Sequence, residues 1–270
     1  MPTVTTNTGA NTALRFLNIN DMNTRSSIGK LSSGSRIVKA SDDASSLAIS
    51  TNLNADVVVL RQASTNAANG TAVVQVADGG LARIADILSR MKALATQSLS
   101  GSVDATSRGY INAEFTQIRD EITSIAEQTE FNGTELLDTA ATLSFMVGRA
   151  AADTIDVATV VVTATGLAVN ASVVDTATNA TTALTAITTA INTVNSTRAN
   201  MGSYMSRFDF RARNVDTQIE NIEAAKSSLL DTDVAAEMTK FTSAQVLMQA
   251  NVAMLAQANQ LPQNLLRLLS

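Results

Sequence analysis

Imidazole and thiolate groups carry much of enzyme chemistry, and this chain of 270 residues has neither, containing no His and no Cys. Ser-His-Asp and Cys-His nucleophilic systems are therefore absent, as are disulfides and the two commonest transition-metal ligands. Carboxylates remain as candidates. Ser41-Asp42-Asp43 and Asp231-Thr232-Asp233 bring acids close together, and paired acids can hold a metal ion or share a proton. Neither group has a third ligand or a matched carboxylate nearby in sequence, and each stands just before an apolar-periodic run. Both read as helix starts. Ser41 to Asp43 caps one helix with acids on its dipole, and Asp231 or Thr232 caps another with Asp233 in its first turn. Asn132-Gly133-Thr134 fits the N-glycosylation triplet, but its Asn-Gly pair is first of all a turn signal. No catalytic residue, metal or cofactor is assigned, and the expectation is a protein that is not an enzyme.

The elements that would carry these residues are helical. The composition is 45% hydrophobic but only 3% aromatic, with no Trp and two Pro, which suits long helices packed through small side chains. A net charge of −5 argues against nucleic acid, whose binding requires a basic patch. No apolar run reaches the length of a membrane span. The opening MPTVTTNTGANTALRF has neither the basic nor the apolar region of a signal peptide, so none is expected.

Alternating steps of three and four from Leu184 reach Ile187, Ile191, Val194, Arg198, Met201, Met205, Phe208, Ala212, Val215, Ile219 and Ile222. Only Arg198 interrupts this seam, which predicts a coiled-coil helix over about 180–224, roughly 65 Å long. The same stepping from Ile49 through Leu60, Ala67, Gly70, Val74, Leu81 and Leu88 to Ala95 predicts a second rod over about 46–99. Its small middle would admit a partner closely, and it is expected to stay continuous through Gly79-Gly80 despite the propensity penalty of glycine. Ile111, Phe115, Ile118, Ile122 and Ile125 mark a third helix over about 104–129. Between about 138 and 178, alternating apolar residues predict a small β-hairpin insert, closing as a compact cap on the bundle.

Apolar stripes return at both ends. Leu14, Leu17, Ile28 and Leu31 mark the front; Val234, Met238, Phe241, Met248 and Leu255 form one stripe at the back, and Leu247, Met254, Leu261 and Leu268 another, with Leu265 in the closing run. A helix apolar on more than one side must be surrounded, and one short N-terminal helix cannot cover both faces. The expected fold is mostly α: long antiparallel coiled-coil rods, a small β-hairpin insert and paired terminal helices. Residues 1–40 with 227–270 would form a terminal helical-pair domain, and 41–226 a rod domain. Pro262 removes one helical hydrogen bond and should bend or loosen the last helix. Terminal segments that cannot bury their stripes alone are expected to order only in an assembly.

LSSGSRIVKASDDASSLAIS, ILSRMKALATQS, INAEFTQIRDEI, FNGTELL and MLAQANQLPQ, in that order, resemble bacterial flagellin, over roughly residues 1–150 and 185–270. About 45 residues separate Asp138 from Leu184, so the chain resembles a minimal flagellin with the two inner domains alone. The resemblance implies a structural subunit of the flagellar filament, with the terminal helices lining an inner tube and the rods an outer one. It implies a homo-oligomer, extracellular after type III export without a cleavable signal. It also implies a flagellar export chaperone on the C-terminal helix, hook-filament junction proteins and the filament cap as partners. Arg90 and Leu94, with Glu114 on the neighbouring helix, match the family's surface for the vertebrate innate flagellin receptor, a surface that also suits packing along a protofilament. Ala93 stands where receptor-activating flagellins commonly carry an acid, and Lys92 replaces an Arg. The alternatives are a hook-filament junction protein and, from another class, a coiled-coil signalling hairpin; a carboxylate enzyme is more remote.

Overall fold

α1 (Thr8–Ser33) starts where the Asn7 side chain accepts a hydrogen bond from the Ala10 amide at 3.0 Å, and stops at Gly34 in the left-handed region, φ 68°. A computed structural model describes the backbone of residues 6–269 and the side chains of residues 6–260. After α1 come α2 (Ala44–Ser98), α3 (Ala105–Gln128), β1 (Glu130–Phe131), β2 (Thr134–Glu135), β3 (Thr142–Met146), β4 (Thr154–Ala158), α4 (Ala177–Leu230) and α5 (Val234–Leu269). The fold is mostly helical, as expected, with small two-stranded sheets. α4 runs somewhat beyond the expected 180–224 at both ends, and α2 passes unbroken through Gly79-Gly80.

The chain divides into two compact units, Met1–Ala55 with Asn221–Ser270, and Asp56–Glu220. In the larger unit α2 and α4 run antiparallel: Ser64 bonds to Asp216, and further along α2 Asp78 pairs with Arg198. α3 returns along α2, with the Arg108 guanidinium donating to the Ser98 carbonyl at 2.9 Å. The three helices bury one continuous core. It takes Val74, Leu81, Ile84, Leu88 and Met91 from α2, Phe115 and Ile122 from α3, and Ile187, Val194, Met201 and Phe208 from α4. These are the residues the three-and-four stepping marks. Arg198, the one break in the α4 seam, reaches Asp78 with two hydrogen bonds, at 2.9 and 3.4 Å. The small middle of α2 is filled from α4: a Cβ at Gly70 would lie 2.5 Å from the Phe208 ring, which Phe145 of β3 meets edge-on at 5.6 Å.

β1 and β2 close on Asn132 and Gly133, both at positive φ, the backbone a two-residue hairpin requires. β3 and β4 form the expected antiparallel hairpin. The Ala/Thr/Val run after it packs on the helical core through Val162, Leu167, Val169 and Val174. Its backbone is held by side chains of the helices: Ser98 donates to the Val174 carbonyl at 2.6 Å, and Asn112 accepts from the Val174 amide at 2.9 Å.

In the other unit α1 and α5 run antiparallel. The Asn7 amide group donates to the Ala258 carbonyl at 2.8 Å, and near the other end of the pair Ser27 meets Glu237. α5 is helical through Pro262 to Leu269. The side chains of Leu261, Leu265 and Leu268 lie outside those described.

Candidate assembly surface

Three acidic residues open helices, of which the Asp43 cap is the one the sequence reading expects. Asp43 accepts from the Ser46 amide at 3.0 Å, Asp104 from the Ser107 amide at 3.0 Å, and Asp233 from the Ala236 amide at 3.0 Å. The hydrogen bonds hold the Asp43 and Asp104 carboxyls below the usual carboxylate range, with Ser46 and Ser107 the principal causes. The cap of α5 is thus Asp233, not Asp231 or Thr232. Asp231 instead accepts from the Ser227 hydroxyl and bridges to Ser35. Asp42 accepts from the Val38 and Lys39 amides in the turn before α2, and these bonds lower its pKa. All of these carboxylates are occupied with backbone or hydroxyl donors. Among the described residues no group of three metal-ligating side chains converges, and no helix is long and apolar enough to cross a membrane.

The distinctive surface lies on the terminal pair. The most enclosed positions between α1 and α5 are Thr24, Ser27, Glu237 and Ala244, three of them polar. Ser27 donates its hydroxyl proton to Glu237 Oε1 at 2.6 Å, while Lys240 reaches Oε2 at 3.3 Å. Glu237 is only 6% exposed and is the one buried charged residue among those described. The Ser27 bond, then Lys240 and Lys30, hold its pKa below the ordinary glutamate value against the opposing effect of burial. A groove of about 440 Å3 runs beside this contact, lined by Asn20, Asn23, Ser26, Lys30, Lys240 and Ser243 among others.

Many large apolar side chains of the pair are left exposed. Phe16, Ile19 and Met22 of α1 are exposed together with Leu14 and Ile28; on α5 the exposed set is Val234, Met238, Val246, Leu247, Val252 and Met254, the last at 63%. The sequence stripes therefore divide. Leu17, Leu31, Phe241, Met248 and Leu255 are half-buried. Leu14, Ile28, Val234, Met238, Leu247 and Met254 are left uncovered by the single chain. Sequence reasoning missed Phe16, Ile19, Met22 and Val246 because they fall off the three-and-four register. Their spacing by three from Phe16 to Met22 was the available signal. A pair whose most enclosed positions are polar or small, and whose large apolar side chains are at best half-covered, has the pattern of an interior element whose neighbours come from elsewhere.

On the larger unit, Arg90 and Glu114 form an exposed ion pair at 2.6 Å between α2 and α3. Leu94, the third member of that group, is 1% exposed and belongs to the core. The structure brings the two charged residues together at the surface and places the leucine beneath it.

Residues 4–142 match the family model for the bacterial flagellin N-terminal helical region, and residues 184–269 the model for the bacterial flagellin C-terminal helical region. The chain is 38% identical over 266 residues to a flagellin of Halalkalibacterium halodurans, covering 97% of this chain and 98% of that protein. It is 35% identical over 274 residues to the flagellar filament 30.7 kDa core protein of Treponema maltophilum, covering 96% of each. The crystal structure of Bacillus cereus flagellin resembles it with a TM-score of 0.52 and 32% identity, over 60% of this chain and 94% of that one.

Proposed function

This chain belongs to the bacterial flagellin family, as a structural, non-catalytic subunit of the flagellar filament, and on that premise we propose that its terminal helix pair is the polymerisation element, completed only by neighbouring copies. The observation that carries this reading is the cover of apolar side chains on α1 and α5: no large one is fully buried among the described residues, and Met22, Val246, Leu247 and Met254 are exposed. Covering such residues stabilises by about 25 cal/mol per Å2 of apolar surface. Ordering the segments costs roughly 1–2 kcal/mol per residue in backbone entropy, so the ends of the chain gain most of their order on joining the filament. Residues 1–40 with 227–270 would line the inner tube, and 41–226 would build the outer one.

The finer partners follow from the same reading. Until the exposed stripe of α5 is buried in a filament it needs a cover, the task of an export chaperone. Subunits at the two filament ends offer the same stripe to hook-filament junction proteins and to the distal cap. Export through the type III apparatus would place the subunit outside the cell. For the vertebrate innate receptor, the accessible part of the candidate surface is the Arg90–Glu114 pair, with Leu94 supporting it from the core.

Deletion of residues 231–270 tests the proposal. The expected product is a helical monomer that forms no filaments in an electron micrograph; filaments from the truncated chain would sink the reading. In the full chain, proteases should cut both ends of the monomer readily and spare them in the filament. Equal protection in both states would show that the ends need no neighbours.

A further inference from the structure

Two unsatisfied patches lie within Asp56–Glu220. On α4, Arg207 and Arg211 are one helical turn apart and therefore share a face, and Phe210 stands beside them, 70% exposed. Arg207 lies over the Tyr204 ring; neither guanidinium has a carboxylate partner among the described residues. The second patch is the β1–β2 hairpin. Its register sets Glu130 directly opposite Glu135, both exposed, with the partly exposed Phe131 between them in sequence. Like charges directly across a ladder repel, and among the described residues no Lys or Arg forms an ion pair with either. The level of each patch along α2 is known from the glycines it covers. The Gly70 position meets Phe208, and the Gly80 position meets Thr129 and Leu137. Ten residues of helix separate them by about 15 Å, too far for an ion pair within one copy.

We propose that the Arg207–Phe210–Arg211 patch of one subunit docks on the Glu130–Glu135 hairpin of a second copy of this chain, staggered along the rod by roughly 15 Å. The occupant is a second copy because the charges are equal in number and opposite in sign, and because the chain is a filament subunit. Two different surfaces meeting head to tail give an open array rather than a closed dimer, as a filament requires. Each arginine finds a carboxylate, the repulsion across β1–β2 is relieved, and Phe210 leaves water. The inference rests on polymerisation but not on the role given to the terminal helices.

Charge exchange in the full chain tests it. Arg207→Glu with Arg211→Glu, and separately Glu130→Arg with Glu135→Arg, should each raise the protein concentration needed for polymerisation at least about tenfold. A chain carrying all four changes should polymerise within about threefold of the parent. Filaments from either two-site variant at the parental concentration would overturn the proposal, and so would a four-site chain no better than the two-site ones. Circular dichroism of the monomers checks folding. If a reversal unfolds the chain, Arg207→Gln with Arg211→Gln decides instead: polymerisation should lose much of its sensitivity to added salt, and an unchanged salt dependence overturns the pairing. Protease protection of the chain ends in whatever filaments form reports the terminal helices separately, so the two readings fail distinguishably.

Discussion

At the scale of single residues, one of the most enclosed contacts in the terminal pair is polar. Ser27 and Glu237 meet at 2.6 Å where an apolar seam would be expected. A buried polar contact stabilises modestly when made and destabilises strongly when half of it is removed. Ser27→Ala is expected to destabilise the ordered terminal pair at neutral pH by about 1–2 kcal/mol, read as a lower temperature of filament disassembly. The pH dependence follows from the direction of the shift. The folded carboxyl titrates below its unfolded value, so its stabilisation is fully present above the ordinary glutamate range and is lost as pH falls through the folded value. The gap between parent and Ser27→Ala should therefore be widest at neutral pH and close in acid. A gap that persists with Glu237 protonated would mean the hydroxyl acts by packing alone. Nothing in the sequence marks Ser27 or Glu237, because their meaning lies in a partner 210 positions away.

Among the elements, what was legible depended on whether the partner helix lies in the same chain. The α2 and α4 seams could be read because each packs along helices of its own unit, so periodicity and burial coincide from Leu60 to Ala95 and from Ile187 to Val215. The Asn132-Gly133 turn was legible from local backbone chemistry alone. On α1 and α5 the apolar stripes were found, but periodicity could not say which of several apolar faces meets the other helix and which awaits another molecule. The Gly79-Gly80 pair shows a similar limit at short range. A Cβ at Gly79 meets nothing within 4 Å, whereas at Gly80 it would lie 2.6 Å from Thr129 Oγ1 and 2.8 Å from Leu137. The threonine cannot easily give way, since its hydroxyl donates to the Ile125 carbonyl at 2.6 Å. Gly79→Ala should stabilise the monomer by about 0.5–1 kcal/mol through reduced backbone entropy. Gly80→Ala gains the same entropy but overpacks the junction, for a net loss of about 1 kcal/mol. Thermal unfolding of the two variants should move in opposite directions; a common direction would mean that the junction is looser than these distances indicate.

For the whole molecule, stability and assembly draw on different residues, and this separation is testable. The larger unit encloses its own core, built on Leu81, Ile84, Phe115 and Ile187, none of which is exposed. The terminal pair instead leaves Met22, Val246, Val252 and Met254 uncovered. Polar replacements at those four positions, Met22→Ser, Val246→Thr, Val252→Thr and Met254→Ser, remove little that the monomer uses, so its helix content and unfolding midpoint should stay near those of the parent. In a filament the same side chains would be enclosed, and burying several hydroxyls without partners costs on the order of 1–3 kcal/mol each. With the apolar contribution also lost, polymerisation should fail at any accessible concentration. A four-site variant that still forms filaments would mean that this stripe faces solvent or a channel in the assembled state, and that the contacts holding neighbours together lie on the larger unit. Loss of the monomer's own fold would mean instead that the stripe already serves the single chain.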